Sequence, residues 1–155
     1  MALVIPNMVA PIIGIWGLME IFSGKVERKT FMRGFYVSLA LTGGLSLLLW
    51  LSPTLLLDFH SSYDAQYQLP ENFYNALLMD RASLASSDAL RSLLFILIGA
   101  ALLAWYAVSK DKKSTATYVS IAMAVLIGVD LWGVDKRYLN EGSFYPKQDI
   151  KNVYT

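Results

Sequence analysis

The side chains able to do chemistry are few and clustered. Asp80-Arg81, Asp88 and Arg91 fall within twelve residues, and Asp130 and Arg137 fall within eight. Both groups border long apolar runs. Ionisable residues at the mouth of a helix bundle often line a substrate path. A bland reading covers the same residues. Ser87 can cap a helix, Asp88 then sits in its first turn where the dipole favours an acid, and Arg91 pairs with Asp88 three residues on. Asp130 is about one turn inside the end of its run, too short to reach the interface easily. It is expected to face the bundle or a wet cavity, with Arg137 or Arg91 as its cation. Glu20 can reach the membrane interface or Lys25. His60 has no evident partner cluster and reads as an interfacial side chain.

Other chemistries are excluded by what the chain lacks. It has no cysteine and one histidine, which removes disulfides, thiolate sites, a cysteine nucleophile and histidine-rich metal sites. No Gly-rich phosphate loop, nucleophile triad or metal-ligand spacing occurs, so no cofactor is expected. The net charge of +1 supplies no basic field for nucleic acid.

The elements that must position these groups are greasy. Of 155 residues, 55% are hydrophobic and 16% charged, against about 25% charged in soluble domains. Mean hydropathy is +0.45. Four apolar stretches, at about 2–23, 34–57, 89–108 and 117–134, approach the roughly 20 residues of a membrane span. "LLFILIGAALLAWYAV" offers no polar stripe at any helical angle. The fold class is therefore all-α: a polytopic membrane protein with four transmembrane helices, its partner the lipid bilayer. The loops 24–33 and 109–116 are basic, holding Lys25, Arg28, Lys29, Arg33, Lys110, Lys112 and Lys113 against Glu27 and Asp111. The loop 58–88 carries Asp58, Asp64, Glu71, Asp80 and Asp88 against Arg81. By the positive-inside rule the basic loops face the cytoplasm, and 58–88 and 135–155 lie outside.

Within 58–88, Pro70-Glu71 reads as a helix start. Phe73, Leu77, Leu78 and Leu84 then fall roughly on one side, and Asn72, Asn75 and Asp80 mostly on the other. This pattern fits an extracytoplasmic amphipathic helix, lying on the membrane face or packed on the bundle. Small residues four apart (Ser120, Ala124 and Gly128; Ala10 and Gly14; Ala100 and Ala104) offer close-packing faces, or reflect only how common such residues are in membrane helices. Pro6, Pro11 and Pro53 are positions for kinks. Residues 1–134 form the transmembrane domain and 135–155 a tail. An N-terminus entering from outside with no polar lead suggests a piece of a longer polytopic chain, whose remaining helices would be partners.

The order "MDRASLASSDALRS", a span, a short basic loop, another span and "DLWGVDKRYLNEGSF" resembles the YfhO family of large bacterial membrane proteins. The likeness covers about the last hundred residues, corresponding to the late membrane region before an extracytoplasmic domain. It implies an inner-membrane location and a parent enzyme transferring sugars from a polyprenyl-phosphate carrier to envelope polymers. Acids assigned to catalysis in such folds sit in a first outside loop with no equivalent here, so no catalytic residue is expected in this chain. Arg81, Arg91 or Arg137 would at most contact the lipid-linked phosphate, because a guanidinium matches phosphate oxygens. Two further roles stay open, a non-enzymatic membrane scaffold and a transporter or flippase module using Glu20 and Asp130. In the exit motif itself, Trp132 and Tyr138 suit the interfacial aromatic belt and Lys136-Arg137 the headgroup phosphates, although an outward Lys-Arg pair runs against the positive-inside bias.

Overall fold

A computed structural model describes residues 4–61, 64 and 70–139, with the side chains of 4–8, 137 and 138 outside that description. Every element among the described residues is helical: α1 (Val4–Phe22), α2 (Arg28–Leu51), a single 3₁₀ turn at Pro53–Leu55, α3 (Glu71–Val108) and α4 (Lys112–Tyr138). Three of these helices, α2, α3 and α4, are long and apolar enough to cross a membrane. α1 is a 19-residue helix of mainly apolar sequence, with its side chains described from Val9 onward.

The helix ends follow local chemistry. Pro53 disfavours helical backbone at the residue before it, and Ser52 accordingly leaves the helical region at φ −151°, ψ 75°. That stops α2 at Leu51, six residues before the end of the apolar run. Gly24 turns the chain after α1 at φ +74°, a conformation that costs glycine little. Asp111 caps α4 by accepting from the Ser114 N–H at 3.2 Å. Pro70 precedes α3 and Glu71 opens it, as the sequence leads one to expect.

Beyond that start, α3 differs from expectation. It is one unbroken helix of 38 residues, about 57 Å long at 1.5 Å per residue. The stretch expected as a separate amphipathic helix is its first half. Ser87 is therefore mid-helix and caps nothing, because a continuous hydrogen-bond ladder leaves no open N–H there. The expected apolar face also splits: Leu77 and Leu78 are half-buried, while Phe73 and Leu84 are exposed.

Packing runs α2 on α3 and α3 on α4, with α1 touching α4. Buried side chains among the described residues are few, chiefly Ala89, Tyr106, Ala107 and Val119. Large apolar residues cover the outside, with Leu41 at 68% and Ile12 at 63% exposure. Water would penalise so much bare apolar surface, whereas lipid tails solvate it. Close approach uses small residues other than those expected. Gly43 is buried, and a Cβ there would meet Leu39 and Ile96. A Cβ at Gly14 or Gly128 would meet nothing within 4 Å, and Ser120 and Ala124 are exposed. Those small-residue faces of α1 and α4 thus look away from the observed contacts. Hydroxyls on the spans are satisfied within their own helices: Ser120 of α4 donates to the Ala116 carbonyl and Thr42 of α2 to that of Ser38, each at 2.8 Å.

Candidate functional site

The charged residues of α3 resolve into two separate clamps. The first joins α3 to α4. Arg91 Nη2 donates to Asp130 Oδ1 at 2.7 Å and to the Asp130 backbone carbonyl at 2.6 Å. The guanidinium carbon also lies 5.7 Å from the Phe95 ring centroid. Arg91 and Asp130 are only partly covered, at 27% and 43% side-chain exposure. Gly133, one turn beyond Asp130, makes the contact possible. A Cβ at Gly133 would stand 2.9 Å from Arg91 Nη2, so the guanidinium occupies the space a side chain would fill. Asp130 is thus paired with Arg91, one of its two expected partners. The Arg137 side chain lies outside the described residues.

The second clamp pins the chain leaving α2 onto α3. Arg81 meets Asp64 in a two-pronged pair, Nη1 to Oδ2 at 2.7 Å and Nη2 to Oδ1 at 2.8 Å. Arg81 Nη1 also donates to the Phe59 carbonyl at 2.8 Å. The planar guanidinium suits this geometry as an ammonium would not. Asp64 is 8% exposed, and Arg81's hydrogen bonds hold its carboxyl below the usual range, with burial opposing and the Ser61 N–H assisting. Beside it, His60 does have a partner: its Nδ1 lies 2.6 Å from Asp58 Oδ1. The His60 backbone N–H also bonds Asp58, and these contacts lower that carboxyl's pKa. Both side chains are exposed. A cavity of about 540 Å³ lies under this segment, between Thr54–His60 and Leu78, Met79 and Ala82 of α3.

Asp80 and Asp88 are exposed on α3. Arg81 and Arg91 are ten residues apart, or about 15 Å along the helix. None of Asp80, Arg81, Asp88, Arg91 and Asp130 lines the cavity. Arg91 reaches across to α4 rather than staying on its own helix. Among the described residues no three His, Asp or Glu side chains converge as a metal site requires.

Asp64 and Gly133 are the residues that sequence reasoning missed. Asp64 pairs with a residue 17 positions on, and no spacing rule reaches that far. Gly133 did carry a signal, since three residues from Asp130 is the same helix face.

At the other end of the bundle Tyr106 organises the contacts. Its hydroxyl donates to the Ile21 carbonyl at 3.2 Å, and its ring meets Phe22 edge-on at 4.9 Å. Lys112 Nζ lies over the same ring at 4.8 Å and donates to the Tyr106 and Ala107 carbonyls at 2.6 and 3.0 Å. A lysine there satisfies the open carbonyls at the end of α3 and opposes its dipole. Glu20 pairs with Lys25 at 3.1 Å, one of the two outcomes its position allowed.

No family model, curated protein or solved structure matches this chain. The three long helices define the class as an all-helical protein compatible with several membrane crossings.

Proposed function

We propose that this chain is a four-span module of a YfhO-like inner-membrane glycosyltransferase that uses polyprenyl-phosphate-linked sugars, and that it supplies packing rather than catalytic groups. The observation that carries this is the contact between Arg91 and Asp130. It brings the two sequence blocks on which the resemblance rests into one structural unit. Two of the three guanidinium groups offered for a lipid-linked phosphate, those of Arg81 and Arg91, already have carboxylate partners. Their first role is to hold α3 to α4 and to hold the segment after α2 to α3. A phosphate would have to displace a carboxylate that is already in place.

In this reading the acidic segment before α3 lies outside the cell, and the basic ends of α2 and α4 lie inside. α1 would be the fourth span, and the first half of α3 the amphipathic stretch that emerges beyond the lipid.

The test replaces Asp80, Arg81, Asp88 and Arg91 singly with alanine in the full-length parent protein. Sugar transfer from a polyprenyl-phosphate donor and the amount of folded protein are then measured on the same membranes. Under the packing role, transfer falls with Arg91→Ala and Arg81→Ala in proportion to folded protein. Loss of transfer at full folded yield would instead make these residues substrate contacts. Full transfer by all four variants would remove them from the reaction altogether.

A scaffold without enzymatic work is the second reading, favoured because each clamp is accounted for by packing alone. Transfer absent from an unmodified full-length parent that contains this chain would select it. A transporter role is weaker, because the acids it rests on, Glu20 and Asp130, each have a cation beside them.

A further inference from the structure

At the Tyr106 end a cleft of about 600 Å³ opens between the end of α1, the start of α2 and the start of α4. Its walls are of two kinds. Ile21, Phe22, Val26 and Phe31 are apolar, whereas Arg28, Lys112 and Lys113 are cationic, and no acid lines it among the described residues. Lys112 is fixed in place by the carbonyls of α3. Neither Arg28 nor Lys113 has a carboxylate partner among the described residues. The first turn of α2 adds open backbone N–H groups, because Glu27 makes no side-chain cap there. α4 adds none at its capped position, where Asp111 already occupies the Ser114 N–H.

A second cavity of about 600 Å³ begins where this one ends, sharing Ile21, Val26 and Phe31. It continues along Phe35, Leu39, Leu103 and Met123 towards the middle of the bundle. Glu20 is at its mouth, with its charge matched by Lys25. The two adjoin as a cationic cleft at a helix boundary and an open apolar groove between the helices. A free inorganic anion would use the first and leave the second without purpose. A zwitterionic lipid would use the groove and gain little from three cations. We propose that an anionic phospholipid binds here, its phosphate between Arg28 and Lys113 and one acyl chain along α2 and α3. Basic pockets between membrane helices recognise such headgroups in this way. The proposal rests on the membrane reading and is independent of sugar transfer.

Native mass spectrometry of the full chain in detergent tests it, with phosphatidylglycerol, phosphatidylcholine of the same acyl chains, and inorganic phosphate as probes. Phosphatidylglycerol should be retained preferentially. The Arg28→Gln/Lys113→Gln variant should bind it about thirtyfold more weakly, at about fivefold per lost charge. Lys29→Gln/Arg33→Gln makes the same change of charge outside the cleft and should bind as the unmodified chain does. Circular dichroism of both variants should match the unmodified helix content. Gly34→Phe fills the groove at a position where a Cβ meets nothing within 4 Å, and it should weaken lipid binding as well. Equal retention of the two lipids, displacement of phosphatidylglycerol by millimolar phosphate, or equal losses in the two charge variants would each overturn the proposal. Sugar transfer lost or kept does not bear on any of these readings.

Discussion

Gly133→Ala separates the contribution of the Arg91–Asp130 clamp from that of the helix that carries it. Alanine in place of glycine inside a helix ordinarily stabilises it by about 1 kcal/mol. At this position the new Cβ would stand 2.9 Å from Arg91 Nη2. The tip of an arginine could normally swing away at little cost. Here it is held by two hydrogen bonds of 2.6 and 2.7 Å to Asp130, and moving it breaks or lengthens both. Hydrogen bonds to charged groups contribute about 1.5–3 kcal/mol. The lower end applies because Asp130 is 43% exposed. The net effect of Gly133→Ala is therefore a loss of about 0.5 kcal/mol or more.

In an Arg91→Ala background there is no guanidinium to displace, and only the helix gain of about 1 kcal/mol remains. The sign of the same substitution thus reverses, with a coupling of about 1.5 kcal/mol between the two positions. Reversible unfolding in mixed micelles, followed by circular dichroism for the four members of the cycle, measures it. If Gly133→Ala changed stability by the same amount in both backgrounds, the guanidinium would not occupy the space beside Gly133 and the clamp would be wrong.

Further outcomes follow from the other contacts. Asp64 has a carboxyl pKa held down by Arg81, so its contribution is complete above the unfolded value near pH 4 and is lost as pH falls through the lower folded value. The thermal midpoint should fall more steeply between pH 5 and 2 in the unmodified chain than in Asp64→Asn, and equal pH profiles would show that the carboxyl does not titrate against folding. Tyr106→Phe removes the bond to the Ile21 carbonyl and should cost about 0.5–1.5 kcal/mol, with faster amide exchange in the last turn of α1; exchange unchanged there would mean α1 is held by other contacts. Single cysteines at His60, Lys29 and Lys110 test orientation in a chain with no native thiol. An impermeant thiol reagent applied to intact cells should label position 60 alone, and labelling of 29 and 110 instead would invert the assignment.

The continuous apolar runs made the helices legible, because a helix surrounded by lipid needs no polar stripe. Helix ends were legible where one residue decides them, as at Pro70-Glu71, and missed where a single residue acts against an apolar run, as Pro53 does. The continuity of α3 was not legible. Ser86-Ser87-Asp88 carries a cap signature, but the ladder continues through it, and Ser86 is used otherwise, donating to the Trp50 carbonyl at 2.7 Å. Asp111 could have been read as a cap, being an aspartate just ahead of the fourth apolar run. The partner of Asp64 could not, because local patterns say nothing about a contact 17 residues away in sequence.

The Arg91–Asp130 pair falls between these cases, since it follows from arithmetic once the hairpin is recognised. α3 and α4 are antiparallel neighbours joined by the short connection at Ser109–Asp111. Arg91 lies about 18 residues before that connection and Asp130 about 19 after it, which at 1.5 Å per residue sets both at about 27–29 Å from the turn. Equal heights on adjoining helices bring the two within reach of each other. That height is also close to the roughly 30 Å of a bilayer's hydrocarbon. Between the turn and this level α3 carries no charge from Ser92 to Val108, and α4 carries none from Ser114 to Val129. The first charged residues on each helix thus meet at one end of the shared apolar length, while the lysines mark the other. Moving either residue by one position would rotate it about 100° around its helix and break the pair without altering composition or hydropathy. The clamp consequently sets the rotation of α4 against α3, a quantity that apolar surfaces in lipid leave loosely determined.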